Sequence, residues 1–166
     1  MSKRRATLIV AGLTLGCFSF IPADPAAAGS AKQDRVERAV VKQVNSIRAQ
    51  HGLRPLRRSR GLARAADVKA REVASTQVLS HDSPDGTPMH SRVRKYVKAR
   101  SVGETIGYVP ARSRQASAIV RAWMASPSHR QALLSPTFRR VGVGRRKGSF
   151  GSSRVAVIAL DLASSR

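Results

Sequence analysis

The sequence predicts an α+β domain with helices first and strands last. Two observations carry that expectation. Apolar residues recur at helical spacing through most of the chain, and near the C-terminus the period shortens to that of strands. Segregated helices and strands of this kind pack as helices layered on a sheet.

The elements follow in order. Ser30 is placed to cap a helix running to about Gln50, with Val36, Val40, Val44 and Ile47 on one face and Gly52 as its terminator. Asp34 and Arg38 stand at the i,i+4 spacing of a helical ion pair. A second helix is expected from about Ser59 to Ala74, with Leu62, Ala66, Ala70 and Val73 inward. A polar loop, residues 80–88, follows. Thr87-Pro88 reads as the cap and first turn of a third helix through Val97.

Val102 to Val109 reads as a short strand or turn holding Gly103-Glu104. Ser113 opens a fourth helix with Ala116, Ile119, Val120 and Trp123 inward. Ser126-Pro127 restarts the chain as a short helix, His129 to Leu134, which Pro136 ends. Val141 to Gly144, a basic Gly/Ser turn and Val155 to Leu160 then read as paired strands.

The N-terminus carries its own signal. Lys3, Arg4 and Arg5 precede an uncharged apolar run from Ala6 to Ile21, and the small residues Ala26 to Ala28 follow. This is the layout of a secretory leader, expected to span residues 1–28. The apolar run falls short of the roughly 20 residues of a spanning helix, so no transmembrane segment is expected after cleavage. Cleavage would also remove Cys17, the only cysteine. A disulfide framework, a thiol nucleophile and a thiolate metal site are thereby excluded.

Charge bounds the partners. Lys and Arg number 31 against 9 Asp and Glu, a formal +22. Such a chain attracts polyanions, and outside a cell those are envelope polymers, anionic lipid headgroups or free nucleic acid. Aromatic residues make up 4% of the chain, too few for base stacking along a strand, so nucleic acid is expected only non-specifically, by charge.

Acidic residues are scarce, which makes their placement informative. Asp34, Glu37, Asp67 and Glu72 fall on the two early helices near arginines, and Asp82 and Asp85-Gly86 suit turns. Glu104 follows a glycine in an apolar setting with no helical partner. It joins His81 and His129 as a candidate functional residue. His51 and His90 read as helix-end and surface residues.

Five motifs then fall in one order: Val44-Asn45-Ser46-Ile47-Arg48; Ser80-His81-Asp82 with Asp85-Gly86; Gly103-Glu104-Thr105; Ala122-Trp123-Met124-Ala125-Ser126-Pro127-Ser128-His129-Arg130; and Phe138 to Gly144. The series resembles the bacterial branch of the CAP superfamily, the SCP-like domain of cysteine-rich secretory proteins, antigen 5 and pathogenesis-related proteins. It covers about residues 34–163. The resemblance implies a three-layer α-β-α sandwich with a central antiparallel sheet and a secreted, extracellular or periplasmic setting. It also implies a cleft that in many members holds a divalent metal such as zinc on two histidines and two glutamates.

By motif, His81 matches the first histidine, and Glu104 matches the glutamate of a Gly-Glu-Asn segment, with Thr105 replacing the asparagine. These two are the candidate metal ligands. The position of the second glutamate, three residues after the tryptophan, is Ser126. His129 belongs to the Ser-Pro-x-His-Arg motif of the bacterial branch. A zinc-like site needs three or four protein ligands, and this set points to weak divalent-metal binding at most.

The expected function is a non-catalytic binding module for a lipid or an anionic envelope component, since the resemblance includes sterol and lipid binders. The alternative is a protease-like extracellular hydrolase using the His81/Glu104 cleft. No Gly-x-Ser-x-Gly elbow or His-Glu-x-x-His pair supports it. A glycosidase would need Asp82 as the second carboxylate beside Glu104.

Overall fold

The computed structural model describes residues 25–165, with side chains from Arg35 onward. The leader expected at residues 1–28 lies outside them except for its last four residues, and so does the Asp34 side chain. The elements are α1 (Pro25–Gln50), β1 (Arg57–Arg58), α2 (Arg60–Thr76), α3 (Met89–Arg94), β2 (Val102–Pro110), α4 (Gln115–Ala125), α5 (Pro127–Leu133), β3 (Arg140–Phe150) and β4 (Ser153–Ala163). The sheet order is β1-β3-β4-β2, antiparallel except for the short parallel pair β1–β3.

β4 is the central strand, and its alternation divides the core. Ala156, Ile158, Leu160 and Leu162 pack with Val40 and Val44 of α1, Ile119, Val120 and Trp123 of α4, and Leu133 of α5. Val155, Val157 and Ala159 pack with Ala66, Ala70 and Val73 of α2, while Ala163 meets Leu62, Ala65 and Val93. Helices thus cover both faces, the expected three-layer α-β-α sandwich.

Local chemistry sets the helix ends. Gly52, at φ 67°, closes α1 while the Leu53 amide donates to the Arg48 carbonyl at 2.9 Å. Ser59 caps α2 by accepting from the Leu62 amide. α2 runs unusually close to the sheet. A Cβ on Gly142 would lie 2.0 Å from the Ala63 nitrogen, and one on Gly144 2.3 Å from the Asp67 nitrogen. The two glycines are what let helix and strand backbones touch.

Several boundaries depart from expectation. α1 begins at Pro25, not at Ser30, and passes through the alanines that favour helix. α3 ends at Arg94, and its first amide, on Met89, is satisfied by Asp82 Oδ1 at 3.0 Å in place of a Thr87 cap. α4 starts at Gln115, two residues after Ser113, and α5 starts at Pro127, two residues before His129. β2 is a full nine-residue strand, and β1 had no sequence signal.

The basic stretch expected as a turn is strand, and the chain reverses at Gly151, φ 56°. The reason is that its arginines are paired on opposite faces. Arg145 donates to Gln115 Oε1 at 2.6 Å, and Arg146 bonds to Asp67. No helix among the described residues is long and apolar enough to cross a membrane.

Candidate functional site

The site forms where edge strand β2 meets the loop after α2. Successive β2 side chains alternate between the faces. Gly103 meets Phe138 and Gly107 meets Ile119 on one side, so Glu104 and Ile106 lie on the α2/α3 side. Glu104 is buried, its carboxylate fully enclosed.

The loop that brings in His81 is fastened from below. Lys69 of α2, only 1% exposed, donates to Glu72 Oε2 at 3.0 Å and to the Asp82 carbonyl at 2.9 Å. Ser83 Oγ donates to Glu72 Oε1 at 3.1 Å, and Asp85 Oδ1 accepts from the Thr87 amide at 2.9 Å. That backbone bond holds the Asp85 carboxyl below its ordinary pKa. Glu72 and Asp85 thus hold the loop, and Asp82 Oδ1 accepts from the Met89 amide at 3.0 Å. The ring of His81, half exposed, is left in hydrogen-bond contact with Glu104, Nδ1 to Oε1 at 2.9 Å.

The other Glu104 oxygen carries a partner the sequence did not reveal. Arg92 of α3 bonds to Oε2 through Nη2, and its Nη1 donates to the Ala65 carbonyl at 3.2 Å. Nη1 also lies 3.8 Å from Asp161 Oδ2, ion-pair range but too long for a hydrogen bond. Asp161 stands opposite Glu104 in the β2–β4 register, fully buried, with both oxygens lacking a conventional donor.

Burial raises the Asp161 pKa well above its ordinary value, and the Glu104 charge adds to the rise. Arg92 and Lys69 oppose it. Burial beside Glu104 thus favours the neutral, protonated form of Asp161 over the charged one. In the sequence it is only a lone acid at the end of an apolar strand, with no local partner to mark it.

His129 sits half-buried on α5 and is not hydrogen-bonded to His81. Burial lowers its pKa, and the charge of His81 lowers it further, which brings the two imidazoles within electrostatic reach. Beside His81 opens a cleft of about 410 Å³ lined by His81, Met89, Gly103, Glu104, Ser128, Gln131, Ala132, Ser135 and Phe138. His129 itself is not among the lining residues. The structure joins His81 to Glu104, and from α5 it is Ser128, Gln131 and Ala132 that line the cleft.

The metal implied by the resemblance does not suit this donor set. Both oxygens of Glu104 are engaged, one by a guanidinium whose charge repels a cation. Ser126 approaches only Ser128, at 3.4 Å between hydroxyls. Among the described residues no group of three or more His, Cys, Asp or Glu is arranged to hold a metal ion.

Fold and site together define a three-layer sandwich with a polar cleft at the sheet edge. The sequence model of the cysteine-rich secretory protein family, CAP, matches residues 41–160, and the chain belongs to that family. The Bacillus subtilis protein YkwD is 30% identical over 109 residues, 65% of this chain and 41% of YkwD. YlbC, a membrane protein of the same organism, is 28% identical over 113 residues, 68% of this chain and 32% of YlbC. The chain thus spans less than half the length of either relative.

An extracellular SCP-domain protein from Bacillus anthracis superposes with a TM-score of 0.70 at 22% identity, covering 87% of this chain and 45% of that one. An outer surface protein of Borrelia burgdorferi gives 0.65 at 20%, covering 77% and 92%. At these identities the likeness is one of fold.

Proposed function

We propose that this chain is a secreted binding module, exported by a leader at residues 1–28, whose edge cleft takes a lipid or an anionic envelope component without transforming it. The observation that carries the proposal is the closed state of Glu104. A carboxylate bonded by both His81 and Arg92 orients the imidazole and is not free to act as nucleophile, base or metal ligand. What the cleft offers a ligand is the outer face of His81, the polar groups of Ser128, Gln131 and Ser135, and the apolar surfaces of Met89, Ala132 and Phe138. That mixture suits an amphiphile. The extracellular and outer-surface relatives support the location, and the large excess of Lys and Arg over Asp and Glu supports an anionic partner.

Binding to phosphatidylglycerol vesicles and to phosphatidylcholine vesicles tests this. The wild type should prefer the anionic vesicles, and His81→Ala should weaken that binding at least about threefold. Equal affinity of the variant would remove the cleft from the proposal.

One observation favours the hydrolase as a second reading. The 2.9 Å contact between His81 and Glu104 has the form of a base held by its orienting carboxylate. Turnover of a peptide or ester substrate that disappears in His81→Ala would establish it in place of simple binding.

A further inference from the structure

A second cleft lies at the opposite edge of the sheet from Glu104, where β1 pairs with β3. It encloses about 520 Å³ and is lined by Arg57, Arg58, Ser59, Arg139, Arg140 and Ser165: four arginines, two serines, and neither an acid nor an apolar side chain. The parallel register sets Arg57 beside Arg140. Like charges at such spacing repel, yet no carboxylate forms an ion pair with any of the four among the described residues.

Two of the guanidinium groups are held in place by neutral acceptors. Arg140 donates through Nε and Nη2 to the Ser164 carbonyl at 3.0 and 2.8 Å, and through Nη2 to the Lys98 carbonyl at 2.7 Å. Arg139 bonds to the Pro136 and Phe138 carbonyls. Carbonyl dipoles fix these groups without cancelling their charge. Arg57 and Arg58 are exposed, and their side chains make no hydrogen bond or ion pair among the described residues. The cleft is therefore half rigid frame and half free cations. It also adjoins the N-terminus of α2, whose first turn holds no acid.

We propose that this cleft binds a phosphodiester polymer that carries no bases, such as a chain of phosphate-linked polyols. Guanidinium groups match phosphate oxygens in charge and in bidentate geometry. Four of them exceed what one phosphate can neutralise, so the fit is to successive phosphates along a chain. No aromatic side chain lines the cleft to stack a base, which sets it apart from nucleic-acid grooves. The lack of apolar lining likewise leaves no seat for an acyl tail. The site is separate from the His81 cleft and does not rest on the function proposed for it.

The test is titration of the full chain with fluorescently labelled poly(glycerol phosphate), followed by anisotropy. Arg57→Gln with Arg58→Gln should weaken binding at least about tenfold. Arg112→Gln with Arg114→Gln removes the same charge from an exposed loop elsewhere and should change it less than about twofold. Equal losses in the two double variants would overturn the proposal, because net charge alone would then account for affinity. Polyglutamate of matched length should compete poorly, as should free inorganic phosphate and oligothymidylate. Competition by any of the three as strong as by the unlabelled polymer would overturn, respectively, the choice of phosphate, of a polymer, or of one without bases. All four side chains lie at the surface, so thermal melts of both double variants should match the wild type.

Discussion

Helices pack on both faces of the sheet, yet the two faces are built from different chemistry. On the face under α1, α4 and α5, β4 presents Ala156, Ile158, Leu160 and Leu162 to aliphatic helices and Trp123. The cations buried there take neutral hydrogen-bond acceptors, with buried Glu37 adding a charge attraction on Arg145. Arg48, fully buried, reaches the carbonyls of Leu133 at 2.6 Å, Ser135 at 3.0 Å and Arg54 at 3.1 Å, and Arg145 bonds to Gln115. On the face under α2 and α3, the backbones approach through glycines, and the buried cations Lys69 and Arg92 bond to acids. The first arrangement is a core with cationic struts. The second places ionisable groups against one another, and its outer edge is the His81 cleft.

If the α2 face depends on backbone contact, added volume should hurt there more than lost volume hurts on the other face. Gly142→Ala places a Cβ 2.0 Å from the Ala63 nitrogen, where no flexible side chain can give way. The expected loss exceeds about 4 kcal/mol in urea unfolding, against about 1 kcal/mol for Ile158→Val on the opposite face. Similar costs for both would mean that α2 stands off the sheet.

Next in size is the removal of a buried cation. Arg92→Met leaves Glu104 buried beside Asp161 with only His81 as partner, and should cost about 3 kcal/mol. Arg48→Met strands only carbonyls, and should cost about 2 kcal/mol. The sharper sign is rescue: adding Glu104→Gln to Arg92→Met should recover stability, because it removes the uncompensated charge. A double variant no more stable than Arg92→Met would show that the ion pair carries little of the cost.

What the sequence made legible was the aliphatic part of both faces. Val40, Val44, Ile119, Val120 and Trp123 on one side and Leu62, Ala66, Ala70 and Val73 on the other recur at helical spacing, and Val155 to Leu160 reads as strand, because burial of aliphatic surface writes a periodic pattern into the chain. The buried polar contacts write none. Arg92 lies among other basic residues of a short helix, and nothing local separates a buried guanidinium from a solvated one. Asp161 is paired with Glu104 by strand register, a contact across 57 positions that spacing cannot encode. Glu104 stood out as a scarce acid with no helical partner, and the family motifs mark both it and His81. His129 shares its motif with Ser128, and α5, starting at Pro127, lines the cleft with Ser128 and Gln131. The arginine cleft was hidden for a related reason: Arg57 and Arg139 look alike to composition, and only the parallel β1–β3 pair puts them in one place.

Asp161 supplies a pH signature for the polar face. Its folded pKa is raised, so the native state keeps a proton that the unfolded chain releases near the ordinary value of 3.8. Its contribution to stability is greatest below that value and declines as pH rises toward the folded pKa. Asp161→Asn keeps a neutral donor facing Glu104 and removes the titration. The variant should gain on the wild type as pH rises from about 4 to 7 in parallel unfolding curves. A constant difference between the two across that range would mean that Asp161 is not the group that titrates there.

The smallest effect lies at His129, and it bears on how the two faces communicate across the cleft. Its folded pKa is lowered from 6.5, chiefly by burial and then by His81. The native state therefore resists protonation, and stability falls as pH drops through 6.5 until the folded pKa is passed. In His129→Gln that part of the acid dependence should vanish. His81→Ala should move the His129 midpoint, followed by NMR, upward but short of 6.5, because burial, the larger cause, remains. An unmoved midpoint would sever the two histidines electrically, and the cleft would then belong to the α2/α3 face alone.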